Sequence, residues 1–423
     1  MSQSVRARWI QLVLGLVCMM SISSPQYIWT LFTKPLAAKF GVTLPELQVT
    51  FSLLVFLQAF LSPFQGSLID RFGARTLISL GTIVAGSSWI LASYANSEAM
   101  LYLTYGVLGG IGTGIVYVGV VGLVVRWFPE RRGFAAGIAA AGYGMGAIVT
   151  TFPIAASLKT QGVESTLWTY GIVFAVVGFL AAQGLRMPSD TALAGSDAAL
   201  SSRDRSPSQI LRTPVFWLMF VMMTMMATSG LMVTSQMASF AADFGISNAV
   251  VFGLAALPLA LTIDRFCNGL TRPLFGFISD RIGREQTMFV AFSLEAVAMT
   301  AWLTLRGDPT LFVLLSGVVF LGWGEIFSLF PATLTDTFGN RFATANYGWL
   351  YLSFGVGSVF GGPLAALLHQ HTGSWIPVFG TAISLDVLTA LLALLVLKPL
   401  RQRFAQSDRV LGGQQDMAGA IPL

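Results

Sequence analysis

The stretch Gly66-Ser-Leu-Ile-Asp70-Arg71-Phe-Gly73-Ala-Arg75 returns 210 residues later as Gly276-Phe-Ile-Ser-Asp280-Arg281-Ile-Gly283-Arg284. Gly, Asp, Arg and Gly all keep that offset. A second pair, Phe128-Pro-Glu-Arg131 and Phe338-Gly-Asn-Arg341, is displaced by the same 210. Two independent motifs at one offset identify an internal repeat of half the chain. Each copy of the first motif stands at the end of a long apolar run. Glycine there lets two helices approach closely, the aspartate can pair with a neighbouring helix end or basic side chain, and the arginines lie at the aqueous surface. Gly66, Asp70, Arg71 and Arg75, with Gly276, Asp280, Arg281 and Arg284, are therefore expected to form a conformational latch, made in one state and broken in another.

Composition sets the surroundings of this repeat. The 423 residues are 55% hydrophobic and 10% charged, with a mean hydropathy of +0.73. Soluble domains carry about 25% charge, so a water-soluble fold is excluded. Continuous apolar runs, rather than alternating ones, disfavour a membrane β-barrel. The runs predict spans at Trp9–Phe32, Leu44–Ile69, Thr76–Tyr94, Met100–Phe128, Gly133–Leu158 and Leu167–Leu185. Six more follow at Val215–Phe240, Ala249–Ile278, Met288–Leu305, Leu311–Phe338, Phe342–His369 and Trp375–Leu397. The expected fold is an all-α membrane protein of twelve transmembrane helices in two six-helix halves, residues 1–185 and 213–398. A flexible polar linker, 186–212, joins them, and a Gln/Gly-rich tail, 399–423, is expected to be disordered.

Charge sets the orientation. With the N-terminus in the cytoplasm, 18 of the 24 basic residues fall inside and only Lys34, Lys39, Lys159 and Arg306 fall outside. That asymmetry places both termini in the cytoplasm. It also accounts for the net charge of +5 without nucleic acid. Arg6 and Arg8 precede an apolar run of 24 residues, longer than a signal-peptide core, so the run is expected to remain as the first span. Cys18 and Cys267 both lie in apolar runs and suggest no disulfide framework.

Twelve spans in two halves, with this loop after spans two and eight, resemble the major facilitator superfamily from about Trp9 to Leu397. Pro25-Gln26-Tyr27, Gly114-Ile-Val-Tyr117, Arg126-Trp-Phe-Pro-Glu-Arg-Arg-Gly, Ala141-Gly-Tyr143-Gly, Asn268-Gly-Leu-Thr-Arg272-Pro and Asn346-Tyr-Gly are similar to its oxalate/formate antiporter and monocarboxylate porter branch. The resemblance implies a carboxylate-binding arginine at Arg272 and cavity-lining positions at Gln26, Tyr27, Tyr117, Tyr143 and Trp323.

The membrane-embedded charges point the same way independently. Counting back from Asp280 at about 1.5 Å per residue, Arg272 lies roughly 12 Å and Arg265 roughly 22 Å into the bilayer. They share one helix face with Asn268. An arginine at mid-span costs ~2.5–3.5 kcal/mol and by default faces a cavity or a partner. A guanidinium stays charged and offers a planar fork of donors to a carboxylate. Arg272 is thus read as the anion-binding charge, with Asn268 and Gln26 as hydrogen-bond donors. The alternative is a structural ion pair. Arg265 either contacts substrate or pairs with Asp264 or Glu325, and either of these acids can instead carry a coupling proton. Glu295 and Asp386 are read as structural, Tyr347 as packing, and His369 and His371 as solvated surface. Glycines crowd spans four, five and eleven, which suits close packing of helices.

Departures from the branch bear on the substrate. The resemblance puts a lysine of the oxalate antiporter where this chain has Phe354, a tyrosine where it has Phe327 and a tryptophan where it has Tyr351. A dianion loses one of two counter-charges unless Arg265 substitutes, so a small monocarboxylate such as formate, lactate or pyruvate is favoured over oxalate. The expectation is a secondary transporter in the cell inner membrane, working as a single chain by alternating access about a midplane site, as an antiporter or proton symporter. It is expected to need no cofactor, no metal and no partner beyond substrate and bilayer. The rivals are oxalate/formate antiport, efflux of hydrophobic compounds and a non-transporting nutrient sensor. An enzyme is disfavoured, because no His-Glu-x-x-His or Gly-x-Ser-x-Gly occurs.

Overall fold

The computed structural model of the chain describes residues 3–188, 204–246 and 249–406. Where the apolar runs are uninterrupted the helices are long: Ala74–Ser93, Pro214–Asp243, Arg284–Thr304 and Ala343–Thr372. Elsewhere they break at identifiable residues. Helix ends at Ser21 and resumes at Ser24–Tyr27 and Trp29–Phe40, around Pro25. The second span bends by 51° between Leu44–Phe60 and Ser62–Phe72, just ahead of Pro63. Its start is fixed by a capping box in which Thr43 and Glu46 satisfy each other's backbone N–H groups. Spans five and six run as Arg132–Gln183 with one break at Gly162, whose φ of 80° only glycine adopts without strain. Span ten divides into Pro309–Trp323 and Ile326–Phe338, with Gly324 and Glu325 in the turn.

Nine helices among the described residues are long and apolar enough to cross a membrane, and the bent second span makes a tenth. One of the nine holds both spans five and six. The remaining crossing is Ala256–Ile282, whose Asp264, Arg265, Arg272, Asp280 and Arg281 remove it from the purely apolar class. The twelve expected crossings are thereby accounted for.

Three expectations are corrected. Span eight does not begin at Ala249. Val250 and Val251 pair antiparallel with Ala255 and Leu254 across a turn at Phe252-Gly253, with φ of 51° and 80°. Two positive φ values in succession are the geometry of a tight hairpin, which apolar composition alone does not distinguish from a span. Residues 204–212 of the linker are held in place. The Asp204 Oδ1 accepts from the backbone N–H of Asn340 at 2.9 Å and of Arg341 at 3.1 Å, and the Arg205 N–H donates to the Phe338 carbonyl at 2.9 Å. The twelfth span continues as helix to Gln406, and Arg401 pairs with Glu285 and donates to Thr337 Oγ1. The rest of the expected linker (189–203) and tail (407–423) lies outside the described residues.

The chain groups into two compact units. One is Met1–Phe128, Ala135–Ser189 and Thr344–Gly355; the other is Pro129–Phe134, Asp190–Ala343 and Val356–Leu423. The first packs around Trp29, Phe32, Trp89 and Tyr105. The second packs around Phe240, Trp302, Phe312 and Phe379.

Candidate functional site

The repeated loops are alike in backbone and different in charge. Gly73 (φ 92°) and Gly283 (φ 103°) end their helices in the same left-handed region. Gly66 lies against the backbone of Thr344 and Ala345, where a Cβ would come within 2.5 Å of a carbonyl oxygen; Gly276 lies equally close to Gly133. Asp70 accepts from the Ala345 N–H at 2.8 Å and binds Arg126, which also donates to Thr344 Oγ1 at 3.2 Å. Asp280 accepts from the N–H groups of Gly133 (3.0 Å) and Phe134 (2.9 Å), at the start of span five, and from Arg284 at 2.5 Å. Arg284 also binds Asp336 at 2.8 Å, and Asp336 binds Arg132 at 2.6 Å.

Arg126, Arg132 and Asp336 were read from the sequence only as part of loops and spans. Arg126 and Asp336 are themselves 210 apart, a signal that would have found them. The second copy therefore has an acid where the first has a base, and Arg284 supplies the missing cation. The other expected latch arginines are not drawn in. Arg71 and Arg281 lie over Phe72 and Phe277 at 5.3 and 4.1 Å, and Arg75 donates to Gln183.

In the first unit an uncharged polar chain runs through an aromatic cluster. The Tyr143 hydroxyl donates to Gln26 Oε1 at 2.5 Å and to Gln58 Oε1 at 3.3 Å, and Gln58 Nε2 donates to Tyr351 Oη at 3.2 Å. Tyr27 and Tyr117 each meet the Tyr143 ring edge-on at 5.3 Å. Tyr117 and Phe354 flank Tyr351 at 4.9 and 5.6 Å, and Tyr347 packs on it at 5.7 Å. Gln58 was missed in the sequence, although an amide in the run Phe51–Phe60 is itself a signal.

In the second unit the charge is prominent. Arg272, 2% exposed, donates from Nη2 to Asn268 Oδ1 at 2.8 Å and lies 4.7 Å from the centre of the Phe327 ring. The amide one turn earlier and the ring together hold a planar cation in one orientation. Trp323 donates to the Met226 carbonyl at 2.9 Å and meets Phe327 edge-on at 6.2 Å.

Arg265 is exposed and forms no ion pair among the described residues, while Asp264 beside it is buried. The expected Arg265–Glu325 bridge is therefore not formed. Glu325 is fully buried and lies within electrostatic reach of Arg272 instead. Nor is His369 simply solvated: it stacks on Trp375 at 4.0 Å and lies 3.4 Å from Asp243. Among the described residues no group of three or more His, Cys, Asp or Glu side chains is arranged to hold a metal ion.

Comparison with known proteins bears on this arrangement. Residues 12–264 and 256–415 match the Major Facilitator Superfamily. The chain is 32% identical over 388 residues to an oxalate:formate antiporter of Oxalobacter formigenes, covering 91% of this chain and 90% of that protein. Over a shorter stretch of 100 residues it is 34% identical to monocarboxylate transporter 14 of Mus musculus, covering 24% of this chain and 20% of that protein. Its fold is similar to that of the proton:xylose symporter XylE bound to 6-bromo-6-deoxy-D-glucose, with a TM-score of 0.69 at 12% identity over 92% of this chain and 95% of that one. With the twelve crossings and the duplicated loops, these matches show a multi-pass membrane transporter rather than an enzyme. The chain belongs to the Major Facilitator Superfamily.

Proposed function

We propose that the protein is a secondary transporter of small organic carboxylates, with Arg272 as the anion-binding charge. The observation that carries this reading is a guanidinium 2% exposed in mid-span and oriented by Asn268 and Phe327. Such a group is costly to insert and worth keeping where it binds a carboxylate in a dry environment. Trp323 and Phe327 flank Arg272 in the second unit, and Gln26, Tyr27, Tyr117, Tyr143 and Tyr351 are the substrate-contacting candidates of the first. The Asp70 and Asp280 loops act as latches for alternating access. The chain works as a monomer in a bacterial inner membrane with both termini cytoplasmic, and its halves are residues 1–185 and 213–398.

A monocarboxylate such as formate, lactate or pyruvate is the favoured cargo, because an uncharged Phe354 stacks on Tyr351 at the position where the family resemblance implies a second cation. The exposed, unbridged Arg265 favours a second reading, oxalate/formate exchange, as does the relative of that name. Counterflow of labelled formate, lactate, pyruvate and oxalate in reconstituted vesicles tests both. A normally folded Arg272→Gln protein that still exchanges carboxylates at full rate would overturn the site. Phe354→Lys is expected to raise oxalate exchange relative to lactate, and unchanged selectivity counts against the two-charge argument.

A further inference from the structure

The 210-residue repeat departs from itself at one loop, and the linker fills the gap. After span four the first copy closes as a short 3-10 turn, Pro129–Arg131. The second copy has Gly339 at the place of Pro129, with φ 86°, and its backbone is not helical again until Ala343. The N–H groups of Asn340 and Arg341 are therefore left for an acceptor from elsewhere. Asp204 supplies it. Its Oδ1 accepts from both, at 2.9 and 3.1 Å, while the N–H of Arg205 donates to the Phe338 carbonyl at 2.9 Å. Gly339 packs directly on Asp204, where a Cβ would meet the carboxylate.

The linker end that carries Asp204 is itself fixed to span seven. Ser206 and Gln209 form a capping box at the start of Pro207–Ile210, Ile210 is fully buried, and Thr213 caps Phe216 of span seven at 3.3 Å. Held from this side, the turn presents the Asn340 side chain, whose Oδ1 accepts from Arg132 Nη2 at 2.9 Å. Arg132 binds Asp336 through its other terminal nitrogen, Asp336 binds Arg284, and Arg284 binds Asp280. Asp280 in turn accepts from the N–H of Gly133, next to Arg132 in sequence, so the contacts close a ring at the second latch. Asp204 bears on that ring through Asn340.

We propose that Asp204 is a positioning residue for the Asp280 latch, capping the turn at 339–341 so that Asn340 stays on Arg132 and the latched state is favoured. This rests on the reading of the Asp280 loop as a latch. The demand is for an acceptor rather than for a charge, because both groups that Asp204 binds at this turn are backbone N–H donors. An amide oxygen in its place serves the same end. A methyl group frees the turn, and Arg132 then loses an oriented partner in the latched state.

The reactivity of a thiol beneath the latch tests this. Ser279, 2% exposed, lies against Gly133, so Ser279→Cys in lipid vesicles should react with N-ethylmaleimide only while the latch is open. Adding Asp204→Ala should speed that reaction roughly fivefold, the equivalent of the ~1 kcal/mol typical of a lost cap, and Asp204→Asn should leave it within about twofold. Cys18, fully buried in the first unit, is followed in the same samples as the control for folding. Unchanged labelling at 279 in Asp204→Ala overturns the proposal. So does labelling as fast in Asp204→Asn as in Asp204→Ala, or a matching rise at Cys18, which marks general loosening. Asp280→Asn on the same background opens the latch directly. If it leaves labelling at 279 unchanged, the latch reading falls and the proposal with it; if it speeds labelling and Asp204→Ala does not, the positioning role alone falls.

Discussion

The aromatic cluster and the charged cluster solve the problem of polarity in a membrane in opposite ways. The first joins Gln26, Gln58, Tyr143 and Tyr351 by neutral hydrogen bonds. The second places Arg272 within electrostatic reach of Glu325 and against Asn268 and Phe327. Neutral amides and hydroxyls satisfy one another at little insertion cost, whereas a buried charge needs compensation close by. Charge and counter-charge therefore stay within one unit. The duplicated loops show the same division of labour. Asp70 is held by one arginine, Arg126, while Asp280, Arg284, Asp336 and Arg132 form a four-member chain.

The sharpest way to break the loop comparison is Asp336→Ala, which takes the carboxylate from Arg132, whose side chain is only 2% exposed, and leaves Arg284 with Asp280 alone. A loss of about 3–5 kcal/mol is expected for an uncompensated buried charge, read as a large fall in thermal stability in detergent. Asp70→Ala, with a single arginine to release, should cost less, and equal losses would erase the asymmetry. The cluster comparison is tested next. Arg272→Gln should weaken carboxylate exchange at least about 30-fold, the low end of the ~2–5 kcal/mol for removing one partner of a buried charged contact.

Tyr143→Phe removes the one hydroxyl proton shared between Gln26 and Gln58 and should raise the half-saturation concentration only about 3- to 10-fold, matching ~0.5–1.5 kcal/mol for a neutral bond. If the two variants are equally damaged, the division into a charged and a shaping cluster fails. At the small end, Lys39→Ala breaks the exposed 2.8 Å pair with Glu164 and should shift stability by less than about 1 kcal/mol in a chemical denaturation series.

Sequence legibility followed physical scale. Long-range periodicity was plain: the 210-residue echo carried the two-part architecture, and apolar runs located the crossings. Local exceptions were not plain. Val250–Ala255 has the composition of a span and the backbone of a hairpin. Residues 204–212 have the composition of a linker, yet Asp204 caps the turn at Asn340 and Arg341. Single polar residues were visible as anomalies, but their partners were not: Arg265 sits beside Asp264 in sequence and forms no ion pair among the described residues, and Glu325 sides with Arg272. Gln58 and Asp336 gain their meaning from Tyr143 and Arg132, distant in sequence.

The chain by itself determined that it is a membrane protein, how many times it crosses and that its halves are related, because lipid imposes long apolar runs that composition cannot hide. It also placed a buried arginine on span eight, since a charge in such a run is conspicuous wherever it points. Only the tertiary structure decided which charges face each other, because pairing depends on helix rotation, set by packing between helices. The bond of Arg132 to Asp336 is of that kind. A base and an acid 204 residues apart become a pair only when the chain folds back between them.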